Sequence, residues 1–187
     1  MITRRRMLGA AAALTGTAAL TGTAALWPRS AVGSPNSSAR RIALTNLHTD
    51  EQLEVEYFRD DNYVPEALAA LEVLLRDFRS GEQHAIDPKL MDYLVEVADQ
   101  IGAPPAFAVI SGYRSPETNE RLRERSSGVS QHSLHMQGRA IDVRMGGGVD
   151  CQDLAACAAS LKRGGVGFYR GSNFVHLDTG AFRTWRG

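Results

Sequence analysis

Ser133-Leu134-His135-Met136-Gln137-Gly138-Arg139-Ala140-Ile141-Asp142 is the stretch from which the rest of the chain can be read. It holds a histidine and, seven residues later, an aspartate. Phe174-Val175-His176-Leu177-Asp178 offers another histidine, 34 residues beyond Asp142. Two imidazoles and one carboxylate suit Zn²⁺, which takes nitrogen and carboxylate oxygen and keeps one position open in catalytic sites. No fourth ligand stands out in either stretch. Gly138 permits a turn that a side chain would resist. The residues from Arg139 to Val143 then alternate as a strand does, with Ala140 and Asp142 on one face and Ile141 and Val143 on the other. A His and an Asp at this spacing also arise on ordinary surfaces, so the pair alone leaves both readings open.

The flanking segments read as a mixed helix and strand domain. Upstream, Ser115-Pro116-Glu117 starts a helix with a serine cap, a proline in the first turn and an acid beside it. That helix should run to Arg123 or Arg125, leaving Arg114 at a strand-to-helix junction. Phe107–Ile110 is a short buried strand. Asp87-Pro88 opens a helix to Ile101, closed by Gly102, with Leu90, Tyr93, Leu94, Val97 and Ile101 on one stripe. Pro65–Phe78 has helical spacing as well. Ile42–Leu47 and Gln52–Phe58 alternate as a hairpin around His48-Thr49-Asp50-Glu51, which makes His48 a turn histidine rather than a ligand.

Downstream, Gly146-Gly147-Gly148 lacks the lysine of a phosphate-binding loop and reads as a connection. Cys151–Lys162 is a helix, Val166–Tyr169 and Phe174–Asp178 are strands, and Trp185 should pack on the body. Cys151 and Cys157 on one helix point to different faces, about 9 Å apart along its axis. They cannot bridge and should be free thiols.

The pattern Ser-x-His-x-x-Gly-x-Ala-x-Asp with a later His resembles the zinc D-Ala-D-Ala peptidase (M15) superfamily. Within it, the chain is most similar to the exported murein endopeptidase K-type proteins. Ser111-Gly112-Tyr113-Arg114-Ser115-Pro116 with Asn119, Gly164-Gly165-Val166-Gly167-Phe168-Tyr169, and Asn46-Leu47-His48-Thr49 carry the same resemblance, which spans residues 42–187. It implies an α+β fold with a small, mainly antiparallel sheet, packed helices, and a zinc site on the open face of the sheet. It also implies an exported zinc peptidase acting on peptidoglycan stem peptides or cross-links. His135, Asp142 and His176 would be the metal ligands. Ser133 and Arg114 would hold substrate, and the planar fork of Arg114 also suits a developing oxyanion.

One departure from that family matters. Many of its members carry Glu three residues, or His two residues, before the last ligand; here these positions are Asn173 and Phe174. Asp178 shares a strand face with His176 and is the candidate general base, unless it serves to orient a ligand histidine. His132 is the other candidate. A catalytically silent zinc or peptidoglycan-binding module, a zinc amidase, and a carboxypeptidase trimming uncross-linked stems are the rival readings.

Composition bounds the rest. Of 187 residues, 43% are hydrophobic and 22% charged, which suits one globular domain plus a leader. Residues 1–33 contain Arg4, Arg5, Arg6 and Arg29 and no acid; setting those four aside leaves 17 basic residues against 21 acidic. A mildly acidic domain argues against a nucleic-acid partner. Residues 1–33 read as a signal peptide of the twin-arginine type, with a weakly apolar run rich in Ala, Thr and Gly and small residues at Ala31-Val32-Gly33. Residues 34–41 are a polar tether. The expected product is a periplasmic monomer with no stable membrane span after signal cleavage.

Overall fold

A computed structural model describes residues 39–126 and 128–187. The expected signal peptide and most of the expected tether lie outside the described residues. The first strand starts at Arg40, two residues ahead of the expected domain boundary.

Strands β1 (Arg40–Asn46) and β2 (Gln52–Arg59) form the hairpin, and β3 (Asn62–Tyr63) extends it. Helices α1 (Pro65–Leu74) and α2 (Pro88–Ile101) follow, then β4 (Ala106–Ser111) and α3 (Pro116–Arg125). After a single 3-10 turn at Leu134–Gln137 come β5 (Ala140–Met145) and α4 (Cys151–Leu161). The chain closes with β6 (Gly165–Tyr169), β7 (Phe174–Asp178) and β8 (Arg183–Arg186).

The fold is α+β, and the sheet formed by the described residues is mainly antiparallel, as expected, but larger than expected. Eight strands run in the order β3-β2-β1-β4-β5-β7-β6-β8. The pairs β1–β4 and β6–β8 are parallel; the other five are antiparallel. The short β3 and β8 account for much of the extra width. Neither carries enough alternating apolar residues to announce itself as a strand.

Local signals set the helix ends. Asp87 accepts a hydrogen bond from the Lys89 amide at 3.0 Å, and Gly102 closes α2 in the left-handed conformation at φ 76°. Ser115 likewise caps α3 through the Thr118 amide. Leu90, Leu94 and Val97 of α2 are fully buried among Leu154 and Ala158 of α4 and Ile141, Val143, Val175 and Leu177 of the sheet. Burying each Leu-sized side chain contributes about 1.5–3 kcal/mol.

Helix α1 stops at Leu74, four residues short of the expected Phe78. The reason is tertiary. The Leu74 carbonyl accepts Asn46 Nδ2 at 3.0 Å, and the Leu75 carbonyl accepts the Tyr113 amide at 2.7 Å. Carbonyls claimed by distant partners no longer need a helical turn. Both cysteines are free, with Cys151 buried.

Candidate metal centre and substrate cleft

Strands β5 and β7 place Asp142 directly opposite His176. Alternation turns these two away from the core residues Ile141, Val143, Val175 and Leu177. His135 arrives from the 3-10 turn. Gly138 ends that turn at φ 64°, and a Cβ there would collide with the Ala85 carbonyl. Glycine is therefore required twice over, by conformation and by space.

The three side chains converge. His135 Nε2 lies 3.2 Å from His176 Nδ1 and 3.3 Å from Asp142 Oδ1, and His176 Nδ1 lies 2.9 Å from Asp142 Oδ1. All three residues are buried. The second nitrogen of each ring is already committed. His135 Nδ1 sits 2.7 Å from the Gly112 carbonyl, which can only accept, so that nitrogen carries the proton. His176 Nε2 faces Asp178 Oδ2 at 3.0 Å and donates to it. In their neutral forms the two imidazoles thus turn lone pairs toward each other and toward a carboxylate oxygen. Three acceptors with no donor among them call for a cation. Ligands about 2.0–2.1 Å from a tetrahedral Zn²⁺ would be roughly 3.3 Å apart, close to the observed edges. Among the described residues this is the one group of three with such donors.

Electrostatics agree. Burial pushes the His135 pKa down, so the ring stays neutral and able to ligate. Burial would raise Asp142, but His135 and His176 overrule it and hold its carboxyl well below the usual range. Burial opposes a charge on His176 too, yet hydrogen bonds to Asp142 and Asp178 hold its pKa above the ordinary value.

A cleft of about 520 Å³ opens over these residues. Arg114, Ser133, His132, Tyr169, Phe174 and Trp185 line it. Ser133 is buried and His132 exposed. Arg114 is largely buried; its Nη2 stands 3.9 Å from Asp142 Oδ2 and its Nη1 donates to Asn119 Oδ1 at 3.3 Å. Buried Nε of Arg114 has no partner among the described residues. His48 stacks on Phe78 in the hairpin turn, with ring centroids 3.8 Å apart, outside this group.

Asp178 is behind His176, not in the cleft. It has no exposed surface. Oδ1 accepts the Gly165 and Gly180 amides at 3.0 and 2.8 Å, and Arg183 grips both oxygens. Burial would raise its pKa, but the bonds from His176, Arg183 and the two amides hold it well below the usual range. Asn173, at one of the two departing positions, adopts φ 51° in the turn between β6 and β7, which asparagine tolerates. Phe174, at the other, stacks on Tyr169 with centroids 4.5 Å apart.

Sequence reasoning missed Arg183 and the place of Trp185, whose indole centroid is 5.1 Å from that of His176. A signal was present. Gly165 and Gly167 stand at alternate positions of one strand, the mark of side chains crossing close to a backbone.

The family model described as peptidoglycan L,D-endopeptidase MepK matches residues 34–185. The peptidoglycan L,D-endopeptidase MepK of Escherichia coli (strain K12) is 42% identical over 146 residues, covering 78% of this chain and 80% of that protein. The probable peptidoglycan L,D-endopeptidase MepK of Haemophilus influenzae is 38% identical over 162 residues, covering 86% and 87%. No solved structure matches significantly. With the family model spanning nearly the whole described domain and relatives up to 42% identical over most of its length, this chain belongs to the MepK family of M15 peptidases.

Proposed function

We propose that the protein is a zinc-dependent endopeptidase that hydrolyses peptide bonds in the stem peptides or cross-links of peptidoglycan after export to the periplasm. The observation that carries the zinc reading is the meeting of His135 Nε2, Asp142 Oδ1 and His176 Nδ1 within 3.3 Å of one another, all three of them acceptors when both rings are neutral. The names of the relatives in Escherichia coli and Haemophilus influenzae support the substrate class.

His135 Nε2, Asp142 Oδ1 and His176 Nδ1 would hold the metal on the face of the sheet opposite α2 and α4. Zinc bound there supplies a Lewis acid that lowers the pKa of water toward about 7 and polarises a carbonyl. Arg114 holds the oxygen of the scissile carbonyl as it gains negative charge, and Ser133 binds the peptide backbone beside it. Asp178 keeps the Nε2–H tautomer of His176. Every oxygen of Asp178 is already occupied and turned from the cleft, which supports this orienting role over that of a general base. Asp142 is the one carboxylate lining the cleft among the described residues, and it is a ligand.

Metal analysis and digestion of purified muropeptides test the proposal together. One zinc per chain and new peptide products are expected. A zinc-loaded protein that binds sacculi yet releases no product would instead be a silent binding module. Release of only terminal residues from uncross-linked stems would make it a carboxypeptidase.

A further inference from the structure

Arg183 lies on the last strand, outside the motifs that carry the family resemblance. Its guanidinium holds Asp178 through two bonds, Nη1 to Oδ1 at 3.1 Å and Nη2 to Oδ2 at 2.7 Å. Such a fork fixes the plane of a carboxylate as a single contact cannot. The Arg183 side chain is 48% exposed, whereas Asp178 is not exposed at all.

The register explains how β8 reaches β7 across the strand between them. Gly165 pairs with Arg183, and its amide donates to Asp178. A Cβ on Gly165 would collide with both the Asp178 carboxylate and the guanidinium. One step along, Gly167 pairs with His176 on one side and Trp185 on the other. A Cβ there would stand 2.5 Å from the Trp185 indole. Two bare positions on β6 thus let Arg183 and Trp185 pass over it to Asp178 and His176. An exposed ion pair made for stability alone is worth little. This one ends on a fully buried carboxylate that itself holds the Nε2–H of a candidate ligand.

We propose that Arg183 is a positioning residue of the metal centre. It fixes the Asp178 carboxylate, which fixes the ring orientation and tautomer of His176 and so presents Nδ1 to the metal. The inference rests on the zinc reading above. Groups that hold a ligand histidine by its far nitrogen commonly change metal affinity about 10–100-fold when removed.

The test uses the purified protein stripped of metal. It is titrated with Zn²⁺ against a chromophoric chelator, then with Co²⁺ while its visible absorption is recorded. Wild type that binds no equivalent of either ion would sink the zinc reading itself. If wild type binds, Arg183→Ala should weaken Zn²⁺ roughly 10-fold or more and alter the Co²⁺ spectrum. Arg183→Lys should recover part, because an ammonium lacks the fork. Adding Arg183→Ala to Asp178→Asn should cost little beyond Asp178→Asn alone, since the two act in series. Arg163→Ala, which removes an exposed pair with Glu96, should change nothing. Wild-type affinity and spectrum in Arg183→Ala would overturn the proposal, even if the metal-free melting temperature falls. Should that variant fail to fold, a folded Arg183→Gln protein with wild-type affinity and spectrum would overturn it equally.

Discussion

At Arg114 a buried guanidinium is only partly satisfied. Asn119 takes one nitrogen, and Nε is left without a partner among the described residues. An unpaired buried donor costs about 1–3 kcal/mol, and a substrate oxygen is the natural group to remove that cost. Arg114→Ala should lower turnover about 10²–10³-fold with zinc still bound, and Arg114→Lys should restore only part. Steady-state kinetics with parallel metal analysis decide this; zinc lost with turnover would make Arg114 a structural residue. The neighbouring Asp77 holds the start of α3. It accepts the Ser115 amide and hydroxyl at 3.0 and 2.8 Å. Burial alone would raise its pKa, but these bonds, with others from Thr118 and the Arg79 amide, bring it down to about 2. A folded pKa below the unfolded value means stability that is full above about pH 4 and is lost as pH falls toward 2. Metal-free Asp77→Asn should therefore be less stable than wild type near neutrality and lose less between pH 4 and 2. Parallel acid limbs in chemical denaturation would refute the assignment.

At the level of elements, the 3-10 turn between α3 and β5 is held at both its backbone and its glycine. The Gly138 carbonyl accepts the Asp87 amide at 2.9 Å, so the turn bearing His135 is tied to the cap of α2. Gly138→Ala must strain a positive φ and push against the Ala85 carbonyl. It should destabilise the fold by more than about 1 kcal/mol. It should also weaken metal binding, because His135 rides on the same turn. Denaturant unfolding and zinc titration together check this, and a fully stable variant would show that the segment can shift freely. The glycines of β6 act in the opposite sense, keeping a passage open instead of closing a turn.

Over the whole molecule, metal binding and folding should be coupled, since the ligands come from a turn and two strands that meet only in the folded state. Zinc at 100 times its Kd adds about 2.7 kcal/mol. For a domain of this size that is roughly 5–10 °C in melting temperature. The rise should vanish in His135→Ala and His176→Ala and persist in His48→Ala; its loss in the His48 variant would mean that the site is misassigned. No described helix is long and apolar enough to cross a membrane. Export by the twin-arginine route is the proposed way out of the cytoplasm. Changing Arg4, Arg5 and Arg6 to Lys should block it, and continued export with the folded-protein translocase disabled would refute the route while leaving the destination open.

What is local was legible in the residues themselves. Asp87, Pro88 and Gly102 bound α2, because a cap, a fixed φ and a left-handed stop act within a few residues. The alternation of β5 and β7 put Asp142 and His176 each on the polar side of its strand. Family motifs then named His135, Asp142, His176 and Arg114 as candidates, and the fold brings all four to one cleft. Only the tertiary structure decided where α1 ends, since Asn46 and Tyr113, far away in sequence, claim its last carbonyls. It also decided the orientation of Asp178. Alternation places that side chain on the face of His176 but cannot say which ring nitrogen it meets or that Arg183 encloses it. Those facts depend on strand order across β7, β6 and β8. Arg183 meets Asp178 only once β8 has paired with β6.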